Sequence, residues 1–119
     1  MSNKKQNQIK ASDLRIGNLV LDGKDIEQVN ARMLDMLVKL EADFDPIPLT
    51  EEWLLRFGFV YHDDDGIITY SSRDNIVIFQ RYRLDFYFEL SNYKDAELEY
   101  VHQLQNLYHA LTGEELTYE

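Results

Sequence analysis

The chain has 119 residues, of which 45% are apolar, enough for one compact core and too few for two large domains. Twelve Lys and Arg against 22 Asp and Glu give a net charge of −10, which disfavours binding to phosphate backbones or anionic lipids. The absence of cysteine excludes disulfides, thiolate zinc sites and cysteine nucleophiles. The apolar runs are short and no secretory segment follows Met1, so we expect a cytoplasmic protein without membrane contact.

The charge divides the chain into two parts. Residues 1–10 contain Lys4, Lys5 and Lys10, no acid and mostly polar neighbours, which predicts a flexible basic arm. Residues 11–119 therefore carry nine bases and 22 acids, a net charge of −13. We predict that this part is a single, strongly acidic domain.

The N-terminal part of the domain is predicted to be a small β-subsheet. A strand over 16–21 runs into Asp22-Gly23, a dipeptide suited to a tight hairpin turn. Because that turn requires a returning strand, we favour strands over 25–31 and 34–42. A helix is the alternative, since apolar residues also recur there at helical spacing: Ile26, Val29, Met33, Leu37 and Leu40.

A short helix is predicted over 50–57, after an extended proline-containing connector at 45–49. Thr50 stands at the N-cap position, and two acids follow at the positive end of the helix dipole, Glu51 and Glu52. Gly58 suits the left-handed conformation that ends a helix. This helix is too short to be stable alone, so we expect it to pack on a sheet.

An antiparallel meander is predicted over 59–100, with its clearest strand at 83–90, where Leu and Phe alternate with polar residues. The remaining predicted strands are 59–61, 67–71, 76–81 and a short one at 97–100. An amphipathic helix over 101–112, ending at Gly113, should cover one face of the sheet. We expect its polar stripe to be solvated: His102, Gln103, Gln105, Asn106 and His109. The fold class is α+β.

The three histidines do not form a recognisable metal or catalytic site. His102 and His109 are seven residues apart, about 10.5 Å along a helix, too far to share one ion. His62 lies beside an acidic turn. No phosphate-binding glycine loop and no hydrolase elbow is present, so we predict a protein that is not an enzyme and needs no cofactor.

Two acidic groups allow more than one interpretation. Asp63, Asp64 and Asp65 precede Gly66 and fit a charged hairpin turn, a knob that binds a partner, or a cation site without the usual calcium-loop spacing. Glu51 and Glu52 could be an acid and base pair, although compensation of the helix dipole explains them without catalysis. We name all five as candidate partner-binding residues.

Aromatic residues are frequent in and beside the meander. Tyrosine with arginine is the composition of protein interface hot spots, although aromatic residues also simply suit strands. The candidates for partner binding here are Tyr82, Tyr87, Arg81 and Arg83. Stacking of single-stranded RNA on such a sheet is a further possibility, against which the net charge argues.

Three segments carry a family resemblance: residues 11–18 (ASDLRIGN), 46–59 (PIPLTEEWLLRFGF) and 100–116 (YVHQLQNLYHALTGEEL). In this order and spacing the chain resembles a family of small uncharacterised proteins encoded in phages, prophages and mobile elements of Bacteroidota. Residues 60–99 add nothing to the likeness. The resemblance implies an accessory protein of a mobile element in a bacterial host, carries over no catalytic residue, and also favours strands over 25–42.

The leading functional hypothesis is an anti-defence protein of the anti-CRISPR type. An acidic body would dock on a basic nucleic-acid-handling effector, or on its ribonucleoprotein, and perturb guide RNA or target binding. We expect a monomer or dimer. The alternatives are a self-associating assembly protein of the element, and a nucleic-acid-binding regulator that uses residues 1–10 and the arginines.

Overall fold

The computed structural model describes residues 9–40, 43–81, 85–91 and 94–118, and it confirms the α+β class. A two-stranded sheet precedes a five-stranded antiparallel sheet whose strands lie in chain order. The strands are β1 (Leu19–Asp22), β2 (Asp25–Gln28), β3 (Val60–Asp64), β4 (Ile67–Ser71), β5 (Val77–Arg81), β6 (Asp85–Ser91) and β7 (Lys94–Leu98). The helices are α1 (Ala31–Val38), α2 (Glu51–Arg56) and α3 (Val101–Thr112), and a 3-10 turn spans Ala11–Asp13. None of the described helices has the length and hydropathy of a membrane span.

The predicted strand over 34–42 is wrong, because residues 31–38 form α1. The turn at Gly23, where φ is +66°, required one returning strand, and β2 satisfies it by pairing with β1. Asn30 then caps the new helix, its side chain accepting a hydrogen bond from the Met33 backbone N–H. The alternative interpretation, a helix indicated by the spacing of the apolar residues, is therefore the correct one for residues 31–38. Leu37 of this helix is buried.

Strand β1 lies between two hydrophobic cores. Leu19 belongs to the larger core, whereas the adjacent Val20 belongs to the second core with Val29, Leu37 and Phe44, because neighbouring residues of a strand point to opposite sides. Ile9, which the predicted arm includes, is buried in the second core, so the prediction does not hold there. Residues 1–8 of the arm lie outside the described residues.

Helix α2 forms as its capping residues predict. The Thr50 hydroxyl accepts a hydrogen bond from the Trp53 backbone N–H, and Gly58 takes a φ of +91° just after the helix. Trp53 and Leu54 are buried in the larger core. The connector before the helix runs alongside the end of the meander, where the Leu49 N–H donates to the Glu99 carbonyl.

The meander is confirmed, with adjusted strand ends. The β3–β4 turn holds Asp65 and Gly66, both with positive φ (+54° and +87°), the backbone of a tight two-residue hairpin. Strand β6 begins at Asp85 in the described chain; residues 83 and 84, with which the predicted strand began, lie outside the described residues. The last strand is Lys94–Leu98 rather than 97–100, since Tyr100 instead forms an isolated bridge with Pro48.

Helix α3 ends at Gly113 as predicted, but two residues of its predicted polar stripe are buried rather than solvated. His102 and Gln105 are 6% and 2% exposed. The N-terminal segment covers that side of the helix: the Leu19 N–H donates to Gln105 Oε1, and Gln105 Nε2 donates to the Gly17 carbonyl. A helix packed on both sides buries polar residues wherever they meet backbone partners.

The three segments that carry the family resemblance lie together in the fold. Arg15 donates to the Asn106 side chain and forms an ion pair with Glu115, and Asn18 also donates to Asn106. The Val101 N–H donates to the Ile47 carbonyl, which joins the second segment to the third. These segments therefore build part of the framework of the fold.

Candidate functional site

The register of the five-stranded sheet separates a core face from an outer face. Tyr70 pairs with Ile78, and Phe86 pairs with Leu98. All four share one face of the sheet and are buried in the larger core. The residues between them point the other way. None of the described outer-face residues belongs to either hydrophobic core, and none is buried.

An aromatic pair occupies the middle of this outer face. Phe79 and Tyr87 are direct partners across β5 and β6, and their rings stack with centroids 5.3 Å apart and planes 22° apart. The Arg81 guanidinium lies over the Tyr87 ring, 4.2 Å from its centroid. The result is a partly exposed stack of three flat groups, the side-chain types that dominate binding energy at protein interfaces.

Two carboxylates of β7 hold Arg81 in place. Its Nη2 donates to Asp95 at 3.0 Å, and its Nη1 donates to Glu97 at 3.1 Å. The hydrogen bond to Glu97 raises the pKa of Arg81 above its ordinary value, and the two acids offset its charge. Arg81 is therefore a flat, oriented contact group rather than a free cation.

The stack has an acidic surround. Arg81 is the one Lys or Arg among the side chains described on this face, whereas five acids project from it: Asp64, Asp85, Glu89, Asp95 and Glu97. The ring of His62, also on this face, contacts the Ser71 hydroxyl at 2.9 Å between Nε2 and Oγ. An apolar centre within a charged rim is the usual anatomy of a protein-binding surface.

The structure brings together two of the predicted partner-binding residues, Arg81 and Tyr87. Tyr82 and Arg83 lie outside the described residues. The contributions of Phe79, Asp95 and Glu97 are absent from the predicted set. The alternation of residues 77, 79 and 81 could have indicated Phe79, but the register that places it beside Tyr87 is a tertiary property.

The acidic turn lies on the hairpin of edge strand β3, at the same end of the strands as Arg81, and Asp64 belongs to the outer face two strands away from it. Asp63 Oδ1 accepts a hydrogen bond from the Gly66 N–H at 3.0 Å, and Asp65 supplies a positive φ. Both roles belong to a turn. No group of three possible metal ligands occurs within the described part of the chain.

Glu51 and Glu52 do not lie on the outer face. Both are exposed in the first turn of α2, as helix dipole compensation predicts. Burial raises the pKa of the Tyr70 hydroxyl to about 12, and the nearby Glu51 carboxylate adds to this rise. Glu51 therefore lies on the core side of the sheet, where Tyr70 also donates to Gln80 Oε1.

No family model, curated protein sequence or solved structure matches this chain. Function is therefore inferred from the outer face, its charge and its chemistry.

Proposed function

We propose that this protein acts by binding a basic protein partner through the outer face of its five-stranded sheet. The observation that carries the proposal is the stack of Phe79, Tyr87 and Arg81 at the centre of a sheet face that holds five acids and has no buried side chain among the described residues. Aromatic side chains held rigid before binding lose little conformational entropy on contact, so they give binding energy efficiently.

The charge of the chain specifies the kind of partner. A net charge of −10 and five carboxylates on the outer face attract a Lys- and Arg-rich surface and raise its association rate. The pairing of Arg81 with Asp95 and Glu97 leaves it poorly suited to phosphate. A protein surface therefore fits this face better than a nucleic acid backbone.

The more specific proposal is a non-enzymatic anti-defence inhibitor encoded by a mobile element. The family resemblance supplies the context, and effectors that handle nucleic acids supply the required basic channels. On this proposal the acidic face competes for the Lys and Arg side chains that hold guide RNA or target in a CRISPR effector. Occupying these Lys and Arg side chains would be enough to inhibit the effector, and the inhibitor would not need to catalyse a reaction.

The test measures binding of the protein to purified CRISPR effectors, with and without guide RNA, by biolayer interferometry. We expect Tyr87→Ala to weaken binding by roughly 30-fold, as for a hot-spot aromatic residue. Tyr118→Ala is the matched control, because Tyr118 is also exposed but packs on Trp53, away from the sheet. Binding that survives Tyr87→Ala and is indifferent to salt contradicts the proposal.

Self-association is a second candidate, favoured by edge strand β3. All five of its residues are exposed, and two of them are large and apolar or aromatic, Val60 and Tyr61. An exposed edge strand is a template for pairing with a second copy. Light scattering decides between a monomer and an oligomer, and Val60→Lys should dissolve an oligomer that forms through this edge.

A further inference from the structure

Strand β3 is an open edge of the five-stranded sheet. It pairs with β4 on one side, and all five of its residues are exposed. The other edge strand, β7, leads into a stretch that is paired, because Tyr100 forms a bridge with Pro48 of the connector. Within the described ranges, no chain segment pairs with the free side of β3.

The register identifies the backbone groups that β3 presents at this edge. The β3–β4 turn has two residues, so the pair that flanks it, Asp64 and Ile67, exchanges both backbone hydrogen bonds. Asp64 and every second residue before it therefore point their N–H and C=O groups towards β4. The groups of Tyr61 and Asp63 point away from the sheet and have no backbone partner in the described part of the chain. They can pair with an added strand.

The side chains of β3 change from apolar to acidic towards the turn. Val60 and Tyr61 begin the strand and are 56% and 44% exposed, and the exposed Asp63 and Asp64 end it. The two members of each pair lie on opposite faces of the sheet, because side chains alternate along a strand. An added strand would therefore meet an apolar and an acidic side chain on each face.

Charge decides which kind of strand fits this edge. A second copy of β3 would bring its own aspartates on a chain with a net charge of −10, so repulsion between like charges opposes the pairing of two copies. Charged side chains on an edge strand are a common barrier to such pairing. A segment with Lys or Arg beside the aspartates removes this barrier, because the cross-strand charges are then opposite.

We propose that the open edge of β3 binds an extended, basic segment of a protein partner, which joins the sheet as an additional antiparallel strand. The segment places two consecutive basic residues opposite Asp64 and Asp63, and then one spacer residue opposite His62. Two apolar residues follow, opposite Tyr61 and Val60. Hydrogen bonds to the outward backbone groups hold the segment, and the side chains select it.

The edge is continuous with the outer face through Asp64, which belongs to both. One basic partner can therefore place its surface on the stack and an extended segment on β3. That the segment belongs to the effector rests on the proposed function, whereas the addition of a basic strand to this edge does not.

The test titrates the full chain with an acetylated, amidated peptide that has the core sequence Arg-Lys-Thr-Val-Ile, followed by ¹⁵N NMR and amide hydrogen exchange. We expect saturable binding that slows the exchange of the Tyr61 and Asp63 N–H groups. Two control peptides separate strand addition from a general attraction of charge. N-methylation of the peptide Lys and Val removes the donors to β3 and keeps every charge, whereas Glu in place of Arg and Lys reverses the charge. Each change should weaken binding roughly ten-fold.

Three results of this titration overturn the proposal. The first is an N-methylated peptide that binds as tightly as the parent peptide. The second is the absence of saturable binding, or of slower exchange at Tyr61 and Asp63. The third is protection of these two amides in the free protein together with a dimer in light scattering, which would mean that β3 pairs with a second copy.

Variants locate the bound peptide. Asp64→Asn should weaken binding of the parent peptide roughly three-fold. Asp25→Asn is the matched control, because Asp25 is also an exposed aspartate beside a hairpin turn, in the other sheet, and it should change nothing. Tyr87→Ala should also leave peptide binding unchanged, because the peptide contacts the edge and not the stack.

Equal effects of the two aspartate variants, or a loss of peptide binding in Tyr87→Ala, overturn the site on β3. The outer-face proposal is decided separately, by Tyr87→Ala in the effector binding assay. Failure of one proposal is therefore distinguishable from failure of the other.

Discussion

Phe79 and Tyr87 face each other across β5 and β6 and stack at 5.3 Å on a side of the sheet that no hydrophobic core uses. Because they are direct cross-strand partners, their orientation is set by backbone register rather than by a covering element. Because the two rings are held in place and remain partly exposed, the pair is suited to binding a partner.

The first prediction concerns how much the Phe79–Tyr87 pair contributes to the free energy of unfolding. Tyr87→Ala should lower the free energy of unfolding by only about 1 kcal/mol, because one cross-strand aromatic contact is lost and no core cavity forms. Urea denaturation followed by circular dichroism measures this. A loss above about 4 kcal/mol would assign the pair to stability rather than binding.

Gln105 gives the second prediction. Gln105→Leu should destabilise the protein by about 2–4 kcal/mol, because the buried Leu19 N–H loses its acceptor and the Gly17 carbonyl keeps only a long hydrogen bond from Gln28. His109→Leu is a control on the same helix, at a half-buried position whose side chain makes no hydrogen bond to the hairpin within the described part of the chain. The two urea midpoints should differ clearly, and equal midpoints would contradict the role given to Gln105.

The third prediction is a pH dependence of stability. A histidine of the unfolded chain has a pKa of 6.5, and burial lowers the pKa of His102 in the fold. As the pH falls below 6.5 the unfolded state takes up the proton first, so the free energy of unfolding decreases until the folded ring is also protonated.

The variant His102→Gln should lack this part of the pH dependence, while His109→Gln should keep it. Comparing urea unfolding at about pH 7.5 and about pH 5 for the three proteins isolates the contribution. A steeper loss of stability on acidification in His102→Gln than in the native chain would mean that the assigned sign is wrong.

The acidic turn provides the fourth prediction. Gly66→Ala should cost about 1 kcal/mol of stability, because φ is +87° there while nothing lies within 4 Å of an added Cβ. Asp65→Gly relieves a positive φ at a non-glycine residue and should be neutral or slightly stabilising. Thermal unfolding of both variants checks this, and a stable Gly66→Ala protein would argue against the two-residue turn.

If the turn is also a partner-binding knob, as its sequence allows, replacing Asp63, Asp64 and Asp65 by Asn should weaken effector binding and reduce its salt dependence. If it is only a turn, the triple variant should weaken binding no more than Asp64→Asn alone, because Asp64 belongs to the outer face. The binding assay therefore distinguishes the two interpretations.

Local signals were enough to predict several elements. Thr50, Gly58 and Gly113 identified helix ends, and the Asp-Gly dipeptides identified the β1–β2 and β3–β4 turns, because capping and positive φ depend on a few adjacent atoms. The strand alternation likewise predicted the meander. These features need no knowledge of distant contacts.

The predictions that failed concern features that depend on tertiary contacts. Helix α1 and a strand were both compatible with residues 31–38, and packing of Leu37 into the second core decides between them. His102 and Gln105 looked solvated because periodicity shows which residues share a stripe, not what covers it. Similarly, Tyr87 was identified by type, whereas Phe79 required the β5–β6 register.

The most direct test of the central claim is a cross-saturation NMR experiment on the complex with a basic effector. Saturating the partner should attenuate the signals of Phe79, Tyr87 and their outer-face neighbours, and leave Tyr118 unaffected. Attenuation confined to residues elsewhere, with the outer sheet face unchanged, would contradict the account.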